Sequence, residues 1–178
     1  MSAFKAITTE EHVQQWLSSS TCKNFLTFLQ NIINTSSNAT IQYIHNKPLP
    51  STTTTQTQAI IKLITTSIDT VKAHPPTKQS QRYGNTAFRG WLTAIESDAS
   101  SSMSILLSTQ SPTTYEKLSQ THQNVLVDEL ATYWKISFGN STRIDYGTGH
   151  EANFLMWLYC LGQLNVLELN PDQQKNHL

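Results

Sequence analysis

The stretch FGNSTRIDYGTGHEANFLMWLYCLGQL, residues 138–164, changes character at its middle. Residues 138–150 are polar and carry three glycines, a loop composition in which glycine permits positive φ and close backbone approach. Residues 149–164 are strongly apolar and too long for a strand, which predicts a buried helix. The uninterrupted apolar run, Phe154 to Leu161, is far short of the ~20 residues a bilayer span requires. Thr148 stands where an N-cap would, with Glu151 three residues on as its capping-box partner.

Working outward, the apolar period is helical elsewhere too. Ile7, Thr8 and Glu11 read as a hydrophobic residue, an N-cap and a box partner, followed by Val13, Trp16 and Leu17. Phe25, Leu26, Phe28, Leu29, Ile32 and Ile33 form a broad stripe that stops at Asn34–Asn38. Residues 46–58, with two prolines and a run of Thr, predict an irregular connector. Ile60, Ile61, Leu63, Ile64, Ile68 and Val71 mark a helix that ends before His74-Pro75-Pro76, because proline disfavours helix in the residue before it. Ala87, Phe88, Trp91, Leu92 and Ile95 outline another, which the serines of 97–102 are expected to break. Tyr115, Leu118, Val125, Leu126, Leu130, Tyr133, Trp134 and Ile136 suggest one or two more. The prediction is a single all-α domain over 1–178, an irregular bundle of about six helices.

Composition narrows the function. Twelve basic and twelve acidic side chains cancel, so the basic surplus that phosphate-backbone binding draws on is missing and nucleic acid is not an expected partner. Charged residues are 13% of the chain, replaced by neutral polar types: 24 Thr, 19 Ser, 14 Gln and 12 Asn. Hydrophobic content of 38% still supports a folded core. Cys22 and Cys160 cannot make a disulfide framework and read as reduced packing thiols. The N-terminus has no secretory pattern, and no membrane association is expected. The expected address is the cytoplasm, with nuclear entry left open.

Two segments could carry chemistry. In Phe138–Ala152, Asp145 and Glu151 supply hard oxygen ligands of the kind Mg²⁺ accepts. Arg143 has the fork geometry for a carboxylate or phosphate. The competing reading is structural: Glu151 caps its helix, and Asp145 pairs with Arg143 to brace a turn. In Arg82–Trp91, RYGNTAFRGW, Arg82 and Arg89 flank a Gly84-Asn85 turn beside Phe88 and Trp91. That is either a cationic rim with rings for ligand stacking, or a capped helix with core aromatics and solvated arginines. CxxC, HExxH and GxSxG are all absent, so zinc-ligand and serine-hydrolase signatures are missing.

RYGNTAFRGW and SFGNSTRIDYGTGHEANF, in this order, resemble the PTPA family, the phosphotyrosyl phosphatase activators or activators of protein phosphatase 2A. The similarity extends back through VQQWLSSSTCKNFLTFLQNII and AIIKLITTSIDTVKAHPP. It implies an all-α fold with a core, lid and linker around a deep cleft. It also implies peptidyl-prolyl cis–trans isomerase activity, binding to the phosphatase 2A catalytic subunit, and association with ATP and Mg²⁺. By the same resemblance Asp145 and Glu151 take the magnesium role. Gln79 falls at the nucleotide edge, so Gln79, Arg82, Gly84, Asn85 and Arg89 become the cofactor-side candidates. The acidic residues expected in the loop at 73–78 stand here as Ala73 and Lys78. Family members are typically longer, so the resemblance implies a chain lacking the C-terminal half and leaving apolar helix faces uncovered.

Prolyl isomerisation needs no nucleophile. It needs an apolar shelf for the proline ring and fixed polar groups to hold a twisted amide better than a planar one. Tyr146 and Phe138 are the shelf candidates. Arg143, Asp145, His150 and the backbone amides of Gly147 and Gly149 are the groups expected to hold a proline-containing segment. Two alternatives stand beside an isomerase-type activator: a non-catalytic assembly factor that clamps the phosphatase, and an inactive truncated fragment.

Overall fold

The computed structural model describes residues 6–37, 54–79 and 84–167. Six helices of two turns or more lie among them, as the periodicity predicts. Extended pairing is limited, among the described residues, to one bridge between Asn140 and Asp145. The described residues divide into two compact units, one over 6–37 and one over 54–79 and 84–167.

The smaller unit holds α1 (Glu10–Ser18) and α2 (Ser20–Ser36). The cap of α1 is Thr9, whose hydroxyl accepts from the His12 amide at 3.2 Å. The Thr8–Glu11 box does not form: Thr8 meets His12 Nδ1 at 3.3 Å, and Glu11 accepts from the Gln15 side chain. Ser19 closes α1 and caps α2, accepting from the Cys22 amide at 3.1 Å. Cys22 and Phe28 are the buried residues of α2.

The larger unit begins with α3 (Thr55–Asp69), capped by Thr54 through the Thr57 amide at 3.2 Å. Of the expected 46–58 connector, Thr55–Gln58 are therefore the first turn of a helix, and 46–53 lie outside the described residues. A 3₁₀ turn over Thr70–Ala73 ends the element ahead of the proline pair. Next come α4 (Ala87–Gln110), the single turn α5 (Pro112–Tyr115), α6 (Gln120–Ile136) and α7 (Thr148–Gln163).

The serines at 97–102 do not break α4. Ala99 and Met103 sit inside the core at 1% and 0% exposure, so burial on one face overrides the weak local preference of serine. α4 packs on α3 and α6, and α6 packs on α7. The core combines Ile95, Met103 and Leu107 of α4, Leu130 and Trp134 of α6, and Trp157 and Leu161 of α7. α7 turns back at its end, where Asn165 adopts φ +55° and the Val166 and Leu167 amides reach the Leu161 carbonyl. Both cysteines are free. Burial pushes the Cys160 thiol up to about 12, with Glu129 adding to the effect. No helix among the described residues is long and apolar enough to cross a membrane. Among the described residues of this unit, Ile68, Ile105 and Tyr146 are the most exposed large apolar side chains, at 58–61%.

Candidate functional site

The base of the site is an aromatic ladder. Phe88 lies 5.5 Å from Trp91, whose ring meets Phe138 edge-on at 5.6 Å. Phe138 meets Trp134 edge-on at 4.7 Å, and Trp134 meets Trp157 at 4.7 Å. Two of the three indoles bond as follows: Trp91 Nε1 donates to the Ser67 carbonyl at 3.2 Å, and Trp157 Nε1 to Met103 Sδ at 3.3 Å. Phe138 is thus a half-buried rung between two indoles, packed against the core.

On this ladder the chain from Gly139 to Asp145 folds into a closed turn. The Asn140 amide donates to the Asp145 carbonyl at 3.0 Å, and the Ile144 amide to the Asn140 carbonyl at 2.8 Å. Asn140 Oδ1 accepts from the Arg143 amide at 2.9 Å. Gly139 adopts φ +119°, and a Cβ there would lie 2.8 Å from the Asp145 carbonyl oxygen and 2.9 Å from the Phe88 ring. Ile144 is left-handed at φ +51°, which a β-branched residue adopts only under external constraint.

That constraint comes from the other glycine-containing segment. Gly84, itself at φ +65°, presents bare backbone to Ile144, whose Cγ2 would stand 2.6 Å from any Cβ. Arg89 donates from Nε to the Ser141 carbonyl at 2.9 Å and from Nη2 to the Thr142 carbonyl at 3.4 Å. Asn85 closes its own turn, accepting at Oδ1 from the amides of Thr77 and Ala87 at 3.1 and 3.0 Å. Gln79 donates to the Gly84 carbonyl and accepts from the Thr86 amide at 3.0 Å. Four of the five cofactor-side candidates are accordingly part of one scaffold. Arg82 lies outside the described residues.

The outward rim carries Arg143, Asp145, Tyr146, Gly147, Gly149, His150 and Glu151. Arg143 Nε pairs with Asp145 Oδ2 at 2.6 Å, the bracing arrangement the residue types allow. The hydrogen bond to Arg143 holds the Asp145 carboxyl below its ordinary value and raises the guanidinium in turn. His150 Nδ1 meets the Ile136 carbonyl at 2.5 Å; a carbonyl accepts only, so Nδ1 carries the proton. Its Nε2 faces Asp145 Oδ1 at 4.0 Å. Tyr146 stacks on His150 with centroids 5.5 Å apart and planes 25° apart, and is 58% exposed.

The cap of α7 is Gly147, not Thr148, which is already the first helical residue. With no capping side chain, the expected Thr148–Glu151 box is absent. The Glu151 amide leans on the Gly147 carbonyl at 3.4 Å, and its carboxylate is exposed in the first turn. Nothing lies within 4 Å of a Cβ on Gly147 or Gly149, so this part of the rim is open.

Magnesium held by one or two carboxylates takes its remaining ligands from water and phosphate. Here Asp145 is closed against Arg143. Among the described residues no three His, Cys, Asp or Glu side chains converge. An apolar hollow of about 10 Å³ lined by Leu107, Ser111, Tyr115, Leu118, Leu126 and Leu164 includes no residue of the 138–151 loop.

The groups missed at the level of sequence are main-chain acceptors: the carbonyls of Ser141 and Thr142 for Arg89, of Ser67 for Trp91 and of Ile136 for His150. A carbonyl has no residue-type signature, so no motif could have pointed to them.

Fold and site define an all-α protein whose distinctive element is a rigid backbone turn and aromatic rim set on a helical core. The chain belongs to the phosphotyrosyl phosphate activator (PTPA) protein family, whose model matches residues 3–178. A probable serine/threonine-protein phosphatase 2A activator 1 of Dictyostelium discoideum is 28% identical over 173 residues, 95% of this chain and 46% of its own length. Serine/threonine-protein phosphatase 2A activator 1 of Mycosarcoma maydis is 30% identical over 178 residues, 97% of this chain and 32% of its own. The serine/threonine-protein phosphatase 2A activator of Drosophila melanogaster is 40% identical over 98 residues, 55% of this chain and 22% of its own. The chain spans less than half the length of each of these relatives.

Proposed function

We propose that the chain acts as an activator of a type 2A serine/threonine phosphatase, and that its Arg143–Gly149 rim receives a proline-containing segment of that partner and speeds its isomerisation. The observation that carries this is the exposed Tyr146 ring, braced from behind by His150 and bordered by the open backbone of Gly147 and Gly149. An aromatic face fixed in this way suits a proline ring, which stacks flat and offers no N–H. The main-chain amides of Thr148 and Gly149 begin a helix and have no partner within it. They suit the carbonyl of the X-Pro bond as it twists out of conjugation.

Amide resonance sets a barrier of ~18–20 kcal/mol, and the two X-Pro isomers differ by only about 1 kcal/mol, so the rate alone needs help. Binding the twisted form better than either planar one lowers that barrier without a nucleophile. Asp145 is fixed by Arg143 and serves as an oriented acceptor for a peptide N–H. A protease-coupled assay on a proline peptide tests this directly. Acceleration by the wild-type chain that falls in Tyr146→Ala supports it; equal rates with and without the chain refute the isomerase half.

A second reading, a non-catalytic assembly factor for the phosphatase, is favoured by one observation: Arg143 and Asp145 are already closed on each other. Retention of the phosphatase catalytic subunit in a pull-down, with no rate acceleration, supports that reading.

A further inference from the structure

Arg89 lies in the first turn of α4, where the helix macrodipole disfavours a cation. It needs local acceptors there, and it finds them 52 and 53 residues away, in the carbonyls of Ser141 and Thr142. Nε and Nη2 make up one edge of the guanidinium fork, an edge that could otherwise grip two phosphate oxygens. In this protein that edge is occupied by backbone. The same contact is continued on either side: Ile144 seats against Gly84, and Phe88 seats under Gly139. The left-handed Ile144 follows directly on the clamped Ser141–Thr142–Arg143 turn, so loss of the clamp frees a strained residue.

We propose that Arg89 is a positioning residue: by clamping the Ser141 and Thr142 carbonyls it sets the orientation in which the rim, Tyr146 and Asp145 included, meets the phosphatase, and it is not a nucleotide ligand. The functional half rests on the phosphatase reading above; the clamp itself does not.

Amide exchange and side-chain Nε–H resonances of the full chain, read by NMR, test the clamp. In Arg89→Met, the Asn140 and Ile144 amides exchange about tenfold faster or more relative to those in mid-α6, as loss of a charge-assisted bond implies, with helix content unchanged. Arg89→Lys keeps the charge but cannot span both carbonyls, and shows an intermediate effect. If Arg89→Met does not fold, Arg89→Lys against wild type carries the same comparison. In the phosphatase assay, Arg89→Met raises the concentration for half-maximal activation by about the same factor. The maximal activation stays as in wild type. Unchanged exchange at Asn140 and Ile144 overturns the clamp. A shift of the Arg89 Nε–H resonance on adding MgATP overturns the exclusion of a ligand role. Faster exchange with unaltered activation leaves the clamp standing and removes the rim from phosphatase recognition.

Discussion

Gly139 and Asp145 approach so closely that a Cβ on the glycine would stand 2.8 Å from the aspartate's carbonyl oxygen. The Asn140–Asp145 bridge depends on that approach, and the rim residues follow from the bridge. Glycine is required here for space and for its φ of +119° together.

Gly139→Ala is therefore expected to destabilise the larger unit by about 2–4 kcal/mol, through backbone strain and a clash with main chain. Gly149→Ala meets nothing within 4 Å and lies in a helical turn, so it should be neutral or stabilise by up to about 1 kcal/mol. Chemical denaturation of both variants checks the contrast, and equal losses would contradict it.

Trp157 is fully buried, and its indole N–H reaches Met103 Sδ. Met103→Leu conserves volume, a change that ordinarily costs under about 1.5 kcal/mol, but here it strands a buried donor. The expected loss is about 1–3 kcal/mol. Trp157→Ala should cost about 3–5 kcal/mol through the cavity it opens. Urea unfolding followed by tryptophan fluorescence measures the first, and circular dichroism the second.

The depressed Asp145 carboxyl gives an acid-limb prediction. A carboxylate lowered in the folded state contributes stability above its unfolded value, and loses it as pH falls through the folded one. The window lies at and below the ordinary carboxylate value of about 4. Between pH 5 and 2, wild-type stability should fall more steeply than that of Asp145→Asn, whose side chain does not titrate. Both residues of the pair are exposed, so the difference is small and shrinks in high salt. Parallel slopes for the two proteins at low salt would rule out the pair as a native-state contact.

Cys160, raised to about 12 by burial, holds only ~10⁻⁴ of its thiol as thiolate at pH 8. It should resist a thiol-reactive disulfide reagent in the native protein and react promptly in denaturant. Mass spectrometry of the labelled peptides identifies the site. Rapid native labelling at Cys160 would show that its helix face is open.

The helical periods, the stop before Pro75 and the apolar α7 were legible because each is a local property of the chain. The misreadings were of two kinds. Caps at Thr8 and Thr148 fell one residue from the observed Thr9 and Gly147, since neighbouring residues offer nearly equal local choices. The continuity of α4 through its serines was not local at all: Ala99 and Met103 lie in the core where α4 packs on α3 and α6, and Met103 meets Trp157 of α7.

The site divides in the same way. Sequence alone marked 138–150 as a glycine-bearing polar turn feeding a buried helix, and gathered Arg143, Asp145, Tyr146 and His150 in it. Tertiary structure alone decided what those residues face: Arg143 closed on Asp145, Tyr146 laid on His150, Phe138 packed between Trp91 and Trp134, and Arg89 turned onto two carbonyls. Residue type and spacing fix which atoms a segment offers. Only the packing of distant segments brings main-chain carbonyls, which no side-chain code records, within hydrogen-bond reach of them.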